Sequence, residues 1–150
     1  QWTSLASLVA AGICLYIAGN FLNDWMDHGW DQRHRPERAL PRGLFAPRTY
    51  LALAGLLATA GTSFAFSANR TAGATALGIV LCIVIYTIWH KRSPWLVIPM
   101  GLCRGLLPIL GAVGMMAVDS TPEMFTKIVT AAVPAGGALF FYICYRTIGK

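Results

Sequence analysis

Charge is what this sequence has least of. Only 12% of its 150 residues are Asp, Glu, Lys or Arg, against about 25% in a typical soluble domain. With 56% hydrophobic residues and a mean hydropathy of +0.57, the chain carries more apolar surface than a water-soluble protein of this length can hide. Acids are scarcest: six in all, four of them between Asp24 and Glu37. The twelve basic residues sit in a few short segments, which excludes a nucleic-acid surface; membrane topology is their plainest reading. Cys14, Cys82, Cys103 and Cys144 each stand alone in an apolar run. No CxxC or His–Cys spacing exists, which argues against a zinc site. No signal peptide with a cleavage site, internal repeat, low-complexity segment or linker is visible. The first residue is Gln1, and Lys150 follows directly on a hydrophobic run. We therefore expect a piece of a longer membrane protein.

What the chain has in abundance is long apolar runs. Five stand near the ~17–25 residues that a spanning helix needs: residues 2–25, 47–66, 73–89, 95–118 and 125–145. The predicted fold is all-α, a multi-span transmembrane bundle with five spans in this chain. Prolines agree with the map, since Pro36, Pro41, Pro47, Pro94 and Pro122 fall in connectors or first turns, where a missing N–H costs little. An alternating path puts the 26–46 loop, the 90–94 connector and the C-terminal end on one face. That face holds nine of the twelve basic residues, and the other holds Arg70 and Lys127. The positive-inside rule places the basic face in the cytoplasm.

The segment Ala18 to Asp31 carries the chemistry. Asn20, Asp24, Asp27 and Asp31 are spaced by 4, 3 and 4 residues, so on a helix they lie within about 60° of one another. Asn23 borders the stripe. Like charges at these spacings repel, and carboxylates near a bilayer are costly. A bound cation would offset both. An all-oxygen ligand set selects a hard cation such as Mg²⁺, which is usually held by one or two carboxylates plus substrate phosphates. The plainer alternative is a set of solvated acids balanced by the arginines beyond. Those arginines are Arg33, Arg35, Arg38 and Arg42, whose guanidinium groups suit bidentate contacts to a diphosphate. Arg38 is the first candidate and Arg35 the second. Arg104 lies inside the fourth run, where an arginine is a functional-site candidate by default; a buried structural pair or a snorkelling side chain would also account for it. It could meet an acidic acceptor or a phosphate. His28 borders the stripe as a weak candidate, and the five tryptophans near span ends read as interface anchors.

These residues carry a resemblance. Asn23-Asp24-x-x-Asp27-x-x-x-Asp31, followed by Arg-Pro-Glu-Arg38-Ala-Leu-Pro-Arg-Gly43, resembles the NDxxDxxxD motif and arginine–proline loop of the UbiA family of intramembrane prenyltransferases. Tyr86-Thr-Ile-Trp-His-Lys91-Arg92 resembles that family's Tyr-x-x-x-Lys-Arg segment, and the run from Gly101 to Gly111 has a similar small-residue texture. The likeness covers about residues 15–115. It implies a single UbiA-like transmembrane domain, incomplete at both ends. It also implies Mg²⁺-dependent transfer of a prenyl group from an isoprenyl diphosphate to a lipophilic or aromatic acceptor. Asp24, Asp27 and Asp31 would hold Mg²⁺ directly or through water, with Asn20 and Asn23 coordinating or orienting. Arg35, Arg38, Lys91 and Arg92 would bind the diphosphate, and apolar walls would hold the prenyl chain.

The sequence departs from the family where a second acidic motif is expected. The corresponding stretch reads Phe140-Phe-Tyr142-Ile-Cys-Tyr145-Arg146, with Tyr142 at the Asp position and no later acid up to Lys150. Either that motif lies beyond these residues or the chain lacks it. The second case keeps an alternative open: a non-catalytic relative that binds or moves a prenyl lipid or other metabolite. A CDP-alcohol type phosphotransferase is disfavoured, because the leading half of that spacing is missing.

Overall fold

The computed structural model describes residues 2–89, 97–116 and 121–148. The order is α1 (Trp2–His34), α2 (Pro47–Ala68), α3 (Arg70–Trp89), α4 (Val97–Gly114) and α5 (Pro122–Ile148), with no strand among the described residues. Five helices thus stand where five apolar runs were read. Of these, α1, α2 and α3 are long and apolar enough to cross a membrane. The apolar parts of the other two are shorter, Ile98–Gly114 and Thr130–Tyr142.

The largest difference from expectation is the end of α1. The apolar run stops at Trp25, yet the helix continues unbroken to His34. At 1.5 Å per residue its 33 residues reach about 50 Å, well beyond a hydrocarbon core of about 30 Å. Asp27 and Asp31 therefore stand on a helical extension, with Asp24 at its root, and the loop shrinks to residues 35–46. That loop is itself tightly turned. Arg42 N–H donates to the Arg38 carbonyl at 3.1 Å and Leu44 N–H to the Ala39 carbonyl at 3.1 Å. Leu40 is buried beneath it, and Gly43 takes the positive φ of 69° that lets the chain turn into α2.

The connector between α2 and α3 is a single residue, Asn69. Its Oδ1 accepts the Ala72 N–H at 2.7 Å, an N-cap of α3. Its Nδ2 donates to the carbonyls of Val113, Gly114 and Met116 at 2.8, 3.1 and 3.3 Å, where α4 runs out of intrahelical donors. One side chain thus closes the ends of two helices.

The core forms where α1 meets α3 and α4, with Leu8, Ala11, Leu15, Ala76, Ile79 and Leu110 at its centre. α2 packs along α1, and α5 packs chiefly on α4. Small residues let the backbones approach, the usual device where lipid offers no hydrophobic contrast between helices. A Cβ on Gly61 would sit 2.9 Å from Leu15 Cγ, and one on Gly105 would sit 2.9 Å from the Gly136 carbonyl oxygen.

Candidate functional site

Near the basic end of the bundle, α1, α3 and α4 enclose a cavity of about 450 Å³. Helical periodicity decides what faces it. Tyr16, Gly19, Asn20, Asn23 and Asp24 of α1 follow the i, i+3, i+4 rhythm of one face. Ile79, Ile83, Tyr86 and Thr87 do the same on α3, and Met100, Cys103, Arg104 and Leu107 on α4. The polar groups gather toward one side, at Asn20, Asn23, Asp24, Tyr86, Thr87 and Arg104, with Arg38 reaching in from the loop. Leu15, Ile79, Ile83 and Leu107 supply an apolar wall.

The acid stripe divides into two pairs. Asn23 Nδ2 donates to Asp27 Oδ2 at 3.3 Å, one turn along. Arg38 Nη1 donates to Asp24 Oδ1 at 3.1 Å and to Asp31 Oδ2 at 2.9 Å. One guanidinium nitrogen therefore bridges two carboxylates seven residues apart. Asp31 lies away from the cavity and is the most buried charged group described, its side chain only 4% exposed, while that of Asp24 is 43% exposed. A smaller pocket of about 220 Å³, lined by Asp24, Asp31, Arg38, Pro41 and Tyr50, opens on the loop side of this bridge.

Among the described residues, no three His, Cys, Asp or Glu side chains converge as a ready metal site. The donors nonetheless fit a hard cation that completes its shell with substrate oxygens. They are all oxygen, and Asn23 Oδ1 is buried without a hydrogen-bond partner, an orphan acceptor suited to a cation or a donor.

The other expected residues fall out as follows. Arg104 lines the cavity. It lies within electrostatic reach of Tyr86, as does Asp27, and Tyr86 lines the same cavity. Arg35 does not reach the cavity; its guanidinium lies 5.9 Å from the centre of the Trp30 ring, on the exposed side of α1. Trp30 stacks on His34, with ring centres 4.2 Å apart, and His28 bonds to Gln32 at 3.1 Å, so both histidines are engaged on the helix surface. Lys91 and Arg92 lie outside the described residues. Tyr142, at the expected second-acid position, is exposed on α5 and does not line the cavity. Tyr86 and Thr87 went unselected as site residues, though the helical repeat from Ile79 and Ile83 carries their face to the cavity.

Comparison with known proteins shows the family. The profile of the UbiA prenyltransferase family matches residues 1–148. The chain is 34% identical over 96 residues to a digeranylgeranylglyceryl phosphate synthase of Methanosarcina mazei, covering 63% of this chain and 33% of the relative. It is 34% identical over 119 residues to a protoheme IX farnesyltransferase of Geotalea uraniireducens, covering 78% and 44%. A protoheme IX farnesyltransferase of Ruegeria pomeroyi is 33% identical over 141 residues, covering 79% and 44%. The chain thus spans less than half the length of the curated relatives it matches, and no solved structure matches it. The matched profile, the apolar helices and the acid-bearing extension of α1 agree: the chain is an integral membrane protein of the UbiA prenyltransferase family.

Proposed function

We propose that this chain supplies the donor-binding part of a Mg²⁺-dependent prenyltransferase. On this reading an isoprenyl diphosphate lies with its charged head at Asn20, Asn23, Asp24 and Arg38, and its chain along the apolar wall. One observation carries it: a single cavity joins an oxygen-donor set and Arg38 to Leu15, Ile79, Ile83 and Leu107, the two halves of an amphiphilic diphosphate. Asp24, Asp27 and Asp31, with the Asn23 oxygen, would hold Mg²⁺, and the chemistry it would supply there is neutralisation of the leaving group's charge. Arg38 binds the diphosphate and helps stabilise charge as the allylic C–O bond breaks. Tyr86 and Arg104, across the cavity, bound the space for the acceptor and help keep water out. The basic end faces the cytoplasm by the positive-inside rule.

The test uses the full-length protein in lipid, incubated with geranyl, farnesyl and geranylgeranyl diphosphates with and without Mg²⁺. Mg²⁺-dependent diphosphate release is expected, reduced at least about a hundredfold by Asp24→Ala or Asp27→Ala, the scale of losing one electrostatic stabiliser. Equal release by wild type and both variants would sink the reading. Tyr142, exposed and away from the cavity, favours a second reading in which the chain binds or moves a prenyl lipid without turnover. Saturable binding of the diphosphates with no release in any condition would select it.

A further inference from the structure

We infer that Arg38 is the site's own counter-cation, which a divalent cation must displace from Asp24 and Asp31 before its guanidinium can hold the diphosphate. This rests on the metal–diphosphate reading above and adds how the two ligands depend on each other.

The geometry is specific. The same nitrogen, Nη1, meets Asp24 Oδ1 at 3.1 Å and Asp31 Oδ2 at 2.9 Å. One positive centre thus meets an oxygen from each of two carboxylates that would themselves hold a divalent cation. Asp31 is nearly fully buried, and a buried carboxylate left without a cation is heavily penalised. Arg38 removes that penalty when no metal is bound. It can do so because the compact loop carries it back over α1, held by the Arg38 N–H to Arg35 carbonyl bond at 3.2 Å and by buried Leu40. Its side chain stays 35% exposed and lines both the cavity and the loop-side pocket. It therefore has room to turn between acids and ligand.

Two cations cannot both use these oxygens fully, so Arg38 and the metal compete. Once displaced, the guanidinium is a free bidentate donor beside the cavity. Metal binding thus prepares the anion site, and linkage makes the effect reciprocal.

The experiment measures Mn²⁺ binding to the full-length protein in nanodiscs by electron paramagnetic resonance, without any diphosphate. Arg38→Gln is expected to tighten Mn²⁺ binding about five- to tenfold, the scale of one charge-assisted pair. Arg35→Gln removes the same charge from the exposed start of the loop, beside Trp30, and is the control; it should change Mn²⁺ affinity less than twofold. Equal effects of the two variants, or weaker Mn²⁺ binding by Arg38→Gln, would overturn the exchange while leaving the metal site standing. If Mn²⁺ binds neither wild type nor Arg38→Gln, the metal reading falls and the exchange with it. Should Arg38→Gln fail to fold, a second arm decides. In EDTA, Asp31→Asn frees one side of Arg38 and should tighten inorganic pyrophosphate binding at least threefold more than Asp27→Asn. Equal tightening by the two would reduce the effect to general charge and overturn the proposal.

Discussion

At the scale of single residues, the site is a division of labour between neighbours of the same chemical type. Arg38 and Arg35 are three apart, yet one bridges two acids beside the cavity and the other lies over Trp30. Arg38→Ala is expected to weaken isoprenyl diphosphate binding in the presence of Mg²⁺ at least about tenfold, as loss of a charged hydrogen bond would. Arg70→Ala, on the opposite end of the bundle, should leave it within twofold; equal affinities by titration would count against the loop assignment. Arg104→Gln should raise the KM for an anionic acceptor by about tenfold with donor affinity unchanged. An equal loss on donor and acceptor would move Arg104 to the diphosphate side. Much of this was readable beforehand. The 4, 3, 4 spacing of Asn20, Asp24, Asp27 and Asp31 is a helical stripe in any context, and Arg104 stands out by charge alone. The Arg38 bridge was not readable, because it depends on how residues 35–46 fold back, a tertiary fact with no periodic signature.

At the scale of elements, composition predicts helices well inside the bilayer and poorly outside it. α2 begins at Pro47 as expected and runs two residues past Phe66. α1 overruns its apolar segment by nine residues, because a span is recognised by hydropathy while a helix continues as long as backbone and packing allow. Helix crossings are likewise set by glycines whose partners lie far off in sequence. Gly105→Ala would put a methyl 2.9 Å from the Gly136 carbonyl oxygen, backbone that cannot rotate away. We expect it to cost about 1–3 kcal/mol, as overpacking does. Gly78→Ala meets nothing within 4 Å on α3. There we expect no loss, or a gain of up to about 1 kcal/mol from helix propensity. Reversible denaturation of both variants in mixed micelles measures the contrast; equal losses would refute the Gly105–Gly136 crossing.

At the scale of the whole molecule, the cavity lies near the basic end and Asn69 with the end of α4 at the opposite one. Single cysteines placed at the exposed positions Glu37 and Ser67, in a background free of native cysteines, should label from opposite sides in sealed vesicles. Glu37→Cys should be reached from the cytoplasm; labelling of both from one side would break the alternating path.

Asn69 has a further consequence, in the order of synthesis. Its side chain serves the start of α3 at once, but its other partners, Val113, Gly114 and Met116, are made 44, 45 and 47 residues later. Until α4 has left the ribosome and entered the lipid, the amide nitrogen at the elbow between α2 and α3 lacks the carbonyls it grips in the finished bundle. We expect this single residue to act as a checkpoint in biogenesis, turning an inserted hairpin into a finished bundle only when its latecomer arrives. Asn69→Ala should leave insertion of α2 and α3 intact but make the newborn chain a substrate for membrane proteases, seen as a shortened half-life in pulse–chase labelling. A half-life equal to wild type would remove the checkpoint.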